Sequence, residues 1–63
     1  MTVYDFMDMF MEKDFQRVEI FNFATDDVVY SGLYMDTEEE YNDLELCSVD
    51  NVYSDVLTLN VNF

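Results

Sequence analysis

The sequence predicts a small α+β domain, with an N-terminal helix packed on a four-stranded antiparallel sheet in the order α-β-β-(short α)-β-β. Apolar residues recur at helical spacing near the start of the chain and alternate as in strands further on. In addition, 51% of the 63 residues are hydrophobic, which predicts a folded core despite a net charge of −13. The length predicts a single domain over residues 1–63.

The first element is a helix predicted over residues 3–14. Thr2 is placed to cap its start, and Asp5 three residues later completes a pair similar to a capping box. One apolar stripe at helical spacing is formed by Val3, Phe6, Met7 and Phe10. We expect this stripe to pack on the sheet.

Two antiparallel strands follow as a hairpin, predicted over residues 17–23 and 28–34. RVEIFNF alternates in the manner of a strand, and Asp26 and Asp27 supply the turn. The lone Gly32 in the second strand predicts a bulge or a close approach of the backbone to another group.

A second hairpin is predicted over residues 44–50 and 54–63, with its turn at residues 51–55. Cys47 is expected to be a small buried residue in the first of these strands. The last strand has the clearest alternation. One face carries Leu57, Leu59, Val61 and Phe63, and the other carries Val56, Thr58, Asn60 and Asn62.

One short helix covers one face of such a sheet, so the sequence has a surplus of aromatic residues. The residues concerned are Phe21, Phe23, Tyr30 and Tyr34. Either part of this aromatic surface stays open as a contact site, or the acidic segment between the hairpins folds over it.

The composition argues against catalysis and cofactor binding. The chain has no histidine, one cysteine and one glycine, which leaves no zinc ligand set and no phosphate-binding glycine loop. The segment DTEEEYND lacks the spacing of a calcium loop. We therefore expect no enzyme activity, no cofactor and no metal site.

The charge predicts the kind of partner. Fifteen acidic residues against Lys13 and Arg17 repel nucleic acid and anionic lipid, and favour a basic protein surface. The acidic segment between the hairpins is expected to be an exposed loop with one helical turn, capped by Asp36 or Thr37. Its carboxylates can stand in for phosphates, and Tyr41 can stack as a base does. The candidate partner-binding residues are Asp26, Asp27, Asp36, Glu38, Glu39, Glu40, Tyr41, Asp43 and Glu45.

The cellular compartment is predicted from features that the sequence lacks. The first residues do not read as a signal peptide, and no apolar run approaches the length of a membrane span. A single cysteine favours a reducing compartment. We expect a cytoplasmic protein of a bacterial host.

Four short stretches, "MTV", "YSG", "EEYND" and "LTLNV", carry a resemblance that spans most of the chain. In them the chain resembles short uncharacterised reading frames of phages and gut Firmicutes. In size and charge it is also loosely similar to small acidic phage-encoded anti-CRISPR and DNA-mimic inhibitors.

The resemblance and the charge together favour an inhibitor that binds the nucleic-acid groove of a CRISPR effector, another nuclease or a related defence protein. The alternative is a structural or regulatory adaptor that forms a homodimer, or binds a partner, through its sheet edge and exposed aromatics.

Overall fold

The computed structural model describes residues 1–53 and 55–63, with the backbone alone for residues 51–53. Within these residues, one helix, α1 (Val3–Met7), precedes four strands: β1 (Arg17–Asn22), β2 (Asp27–Leu33), β3 (Leu46–Tyr53) and β4 (Val56–Val61). Short 3-10 segments lie at Lys13–Phe15, Tyr34–Asp36 and Glu39–Asp43. The α+β class is confirmed. In the described part of the chain, no helix is long and apolar enough to cross a lipid bilayer.

The sheet is mixed, so the prediction of a purely antiparallel sheet is wrong. Its strand order is β2-β1-β4-β3, and the two predicted hairpins are joined through β1 and β4, which run parallel. Val18 and Ile20 on β1 and Leu59 and Val61 on β4 are fully buried, and the pairing of these two strands at the centre places all four under the helix. The twelve-residue connection from β2 to β3 makes this possible, because parallel pairings need long crossovers.

The core lies between the sheet and the N-terminal helix, as predicted. Val18 on β1 pairs with Leu57 on β4, and Ile20 pairs with Leu59, so both strands present their apolar residues to the same side. The buried hydrophobic residues are Val3, Met7, Val18, Ile20, Tyr34, Leu59 and Val61. Phe6, Phe10 and Leu57 are partly buried against them.

The helix begins as predicted but ends seven residues early. Thr2 and Asp5 form a full capping box, in which each backbone N–H is bound by the other residue's side chain at 3.1 Å. The helix ends at Met7 instead of residue 14. Beyond Phe10 the positions at helical spacing are Lys13 and Asp14, so a longer helix would bury nothing further against the core.

The first hairpin contains a bulge and a close approach, but only the close approach lies at Gly32, whereas the bulge lies at Val29. The register of the hairpin shifts between Ile20 and Phe21, so Val29 is the extra residue of a bulge and has no partner in β1. Gly32 has a φ of +152°, and a Cβ atom there would lie 2.9 Å from the hydroxyl of Tyr30. That hydroxyl donates to the carbonyl of Leu33, so the close approach is built into the end of β2.

Two predictions for strand β3 and its turn are wrong. Cys47 is exposed, not buried, because the register shifts between Leu46 and Ser48 and leaves Cys47 as the extra residue of a bulge. The bulge restores the inward direction at Val49. The strand also continues to Tyr53, so the turn is shorter than the predicted 51–55, and Ser54 lies outside the described residues.

The surplus aromatics divide between the two faces of the sheet. Tyr34 is buried and Tyr30 packs against the core on the helical face. Phe21 pairs with Val28 on the opposite face, and Phe23 continues from it with about half of its surface exposed. Since the 3-10 segment Glu39–Asp43 packs against α1, the acidic loop lies on the helical face and leaves the second face open.

Candidate protein-binding surface

The candidate surface is the acidic connector, which we define as residues 36–45. It belongs to the crossover that leaves the end of β2 and returns to the start of β3. Strands β2 and β3 run in the same direction, so the crossover spans the length of the sheet and lies over its helical face. Six of the fifteen acidic residues of the chain are in this segment.

Tyr34 anchors the start of the connector. Its ring is buried, its N–H donates to the carbonyl of Gln16 at 2.9 Å, and its hydroxyl donates to the side chain of Asn42. Thr37 donates its hydroxyl to the carbonyl of Tyr34 at 2.7 Å. Burial raises the pKa of the Tyr34 hydroxyl, which therefore stays a donor at neutral pH.

The far end of the connector is tied to the N-terminal segment. The N–H of Val3 donates to the carbonyl of Leu44 at 3.0 Å, and the N–H of Leu46 donates to the carbonyl of Met1 at 2.9 Å. Thr2 and Glu45 form an isolated antiparallel bridge between them. The connector is therefore held at both ends by backbone hydrogen bonds.

The middle of the connector turns its apolar side chains inward and its charges outward. Tyr41 and Leu44 are half-buried against the core, within and after the 3-10 segment Glu39–Asp43. Glu38 precedes this segment without a side-chain cap, so neither Asp36 nor Thr37 caps it as predicted. The exposed carboxylates are those of Asp36, Glu38, Glu39, Glu40, Asp43 and Glu45.

Two of these carboxylates lie side by side. A side-chain hydrogen bond with Glu38, and then the negative charge of Glu38, raise the pKa of Glu40 above its ordinary value. This is the behaviour of two carboxyl groups that compete for one proton. The pair marks the part of the connector where negative charge is most concentrated.

Glu45 differs from the other carboxylates of the connector because it is paired. Its Oε1 lies 3.0 Å from the N-terminal ammonium of Met1, and both groups are largely exposed. Tyr41 also differs from its predicted role as a free stacking ring, since part of the ring is used in packing.

Asp26 and Asp27 lie apart from the start of the connector. They form the turn end of the first hairpin, where Asp26 adopts a φ of +61°. This turn lies at the start of β2, which is seven residues long, so about 20 Å separate the turn from the end of β2. The structure therefore does not bring these two carboxylates together with Asp36.

Two acidic residues near the helix, Asp5 and Asp8, have local structural roles. Asp5 completes the capping box, where hydrogen bonds from the Thr2 backbone and side chain lower its pKa. Asp8 pairs with Lys13 at 3.2 Å, and the same ammonium lies 5.9 Å from the ring centre of Tyr4. Among the described residues, no group of three potential ligands converges in a way that could hold a metal ion.

Comparison of the chain with protein-family models, with curated proteins and with solved structures found no match.

Proposed function

We propose that the acidic connector binds a basic groove on another protein, one that otherwise holds nucleic acid, and so inhibits that protein. The target class is a nuclease or other defence protein of a bacterial host, a CRISPR effector among them. The chain would then be a phage or mobile-element inhibitor that acts in the host cytoplasm by binding, without catalysis.

The observation that supports this proposal most is the division of the connector into an inner and an outer side. Tyr34, Tyr41 and Leu44 hold it against the core, while each of its carboxylates is exposed. Because the backbone is already ordered, binding does not need to fix it again, and less conformational entropy is lost. An ordered array of charges is what a surface needs in order to replace phosphates.

The electrostatics favour the same class of partner. A groove that binds nucleic acid is lined with Lys and Arg, and it gains affinity by releasing counterions from the polyanion that it holds. A surface with a net charge of −13 repels nucleic acid and competes with it for such a groove. Binding should therefore weaken steeply as salt concentration rises.

The experiment is a capture from bacterial lysate at low salt, followed by competition with duplex DNA and RNA for the captured protein. The test variant is Glu38→Lys/Glu40→Lys/Asp43→Lys. Since these carboxylates are exposed, the variant should keep its circular dichroism spectrum and melt no lower than the wild type, but lose the captured protein.

The matched control is Glu19→Lys/Asp27→Lys/Asp50→Lys, which changes the net charge by the same amount at strand positions outside the connector. Asp5 and Asp8 are left unchanged in this control, because Asp5 caps the helix and Asp8 pairs with Lys13. Equal loss of binding by both variants would show that net charge alone is responsible. Unchanged binding by the connector variant at low salt would refute the proposal.

A second candidate function is supported by the open face of the sheet. Phe21, Phe23 and Val28 form an apolar corner there, and Phe23 and Val28 are each about half exposed. This arrangement favours an adaptor that binds a partner, or a second copy of itself, through the sheet. Phe23→Ser would weaken such binding and leave capture through the connector unchanged.

A further inference from the structure

We infer that the surface formed by Phe10, Met11 and Phe15, which we call the Met11 surface, binds a basic amphipathic helical segment of another protein. This surface lies between α1 and β1, outside the acidic connector. The inference goes beyond the proposed function and concerns a different set of residues.

The Met11 surface contains two adjoining grooves. One, of about 340 Å³, is lined by residues that include Phe10, Phe15 and Gln16. The other, of about 330 Å³, is lined by Phe10, Met11, Glu12 and Gln16. Because Phe10 and Gln16 belong to both, the grooves share a wall. Each is large enough to accept bulky apolar side chains.

The apolar residues beside these grooves are unusually open. Met11 is fully exposed and Phe15 is 70% exposed, although both are large hydrophobic residues. Single exposed apolar residues are common on protein surfaces, but here they border concavities. A methionine adapts its three rotatable bonds to different partners, which suits a surface that binds apolar side chains.

The base of the surface is held in place before any partner binds. The side-chain amide of Gln16 donates to the backbone carbonyls of Arg17 at 3.0 Å and Asp55 at 3.1 Å. The 3-10 segment Lys13–Phe15 is closed by bonds from Phe15 to Glu12 and from Gln16 to Lys13. A preformed groove loses little conformational entropy on binding.

Charge identifies the occupant as basic. Glu12 lines one groove, Asp55 and Arg17 line the other, and exposed Asp14 is in the segment between them, so the carboxylates outnumber the one guanidinium. The ammonium of Lys13 is already paired with Asp8. A second copy of this chain would bring another net charge of −13, so mutual repulsion opposes it. Lys or Arg beside apolar anchors would complement both the charge and the grooves.

The adjoining grooves favour a helical occupant. Side chains three or four residues apart on a helix are neighbours, with Cβ atoms about 5–6 Å apart, so two successive anchors can enter two grooves that share a wall. An apolar stripe flanked by basic residues is the amphipathic pattern that supplies such anchors.

The probe is a Leu/Lys helical peptide of about 18 residues, or roughly five turns, with one Trp on its apolar face. The chain contains no Trp, so fluorescence of the peptide reports its own burial. At about 0.15 M salt, Met11→Gln/Phe15→Ser should weaken binding about tenfold or more. Both positions are exposed, so the variant should melt as the wild type does.

The matched control is Met35→Gln/Phe63→Ser, which makes the same changes at exposed positions elsewhere and should leave the affinity within about twofold. Equal weakening by the two variants would overturn the inference. So would equal affinity for a peptide of the same composition in scrambled order, since charge alone would then account for binding.

Methyl NMR of the wild-type chain gives a readout that does not depend on a variant. The peptide should shift the methyl resonance of Met11 and leave those of Met7 and Met35 in place. If the methyl resonance of Met11 moves with protein concentration when no peptide is present, the surface binds a second copy of this chain and the inference is overturned. Failure here would not affect the proposed function, which is tested with connector variants.

Discussion

The side-chain amide of Asn22 donates to the backbone carbonyl of Phe63 at 3.0 Å, which ties the end of β1 to the residues that follow β4. The same side chain accepts a hydrogen bond from the N–H of Ala24 at 3.1 Å. Asn22 is 3% exposed, so its side chain is shielded from bulk water and both bonds are part-buried. One polar residue thus joins the first hairpin turn to the parallel pairing at the centre of the sheet.

Asn22→Ala should lower the free energy of unfolding by about 1–3 kcal/mol, because it leaves polar backbone groups of Ala24 and Phe63 without this partner. Urea denaturation followed by circular dichroism measures the change. Asn62→Ala, at an exposed position near the same end of β4, is the control and should stay within about 0.5 kcal/mol of the wild type. Equal stability of the two variants would contradict the role assigned to Asn22.

Leu59→Ala should cost about 2–5 kcal/mol, because Leu59 is fully buried on a central strand. Phe10→Ala should cost less, about 1–2 kcal/mol, since Phe10 is only half-buried and stacks edge-on against Phe6 at 5.3 Å between ring centres. Thermal melting of both variants tests this order. A larger loss for Phe10→Ala would mean that the core is centred nearer the helix than the structure shows.

Thr58→Val should leave stability unchanged or raise it by up to about 1 kcal/mol. Thr58 is 6% exposed, and within the described residues its hydroxyl oxygen has no hydrogen-bond partner. Valine has nearly the same shape and removes the cost of burying that group.

The control for Thr58 is Thr37→Val, which removes a hydroxyl that donates to the carbonyl of Tyr34. That change should cost about 1 kcal/mol. Urea denaturation of the two variants side by side compares a hydroxyl with a partner and one without. A clear loss of stability in Thr58→Val would show that its hydroxyl is in fact satisfied.

The shifted pKa values of two carboxyl groups predict that the folded state is most stable at mildly acidic pH. The pKa of Glu40 is raised above 4.5 by Glu38, so the folded state binds its proton more tightly and gains stability as pH falls through that region. The pKa of Asp5 is lowered below 3.8, so its contribution is present above that value and is lost as pH falls further. Melting temperatures should therefore rise from about pH 6 to 4 and fall below it.

Two variants separate these contributions. Glu38→Gln should return the pKa of Glu40, measured by NMR titration of its side-chain carboxyl, toward its ordinary value. Asp5→Asn should remove part of the decline below pH 4, because that side chain no longer titrates. A steady fall in melting temperature from neutral pH downward would exclude the proposed repulsion within the connector.

The amino-acid sequence by itself determined the features that depend on neighbouring residues. Thr2 and Asp5 cap a helix because they are three residues apart, and the alternation from Val56 to Val61 assigns Leu59 to the core. The acidic residues of the connector are exposed, as predicted, because charged groups are costly to bury. Met9 and Met11 lie off the apolar stripe of the helix. Their position is a feature of the sequence from which the open Met11 surface could have been predicted.

Only the tertiary structure decided how these elements combine. The parallel pairing of β1 with β4 and the crossover of the connector depend on contacts between residues far apart in sequence. The same is true of the bulge that exposes Cys47, since its partner strand sets the register. Tyr41 is half-buried because the crossover lies over the core. Local patterns specify which face of an element is apolar, but several arrangements bury those faces, and the total burial selects among them.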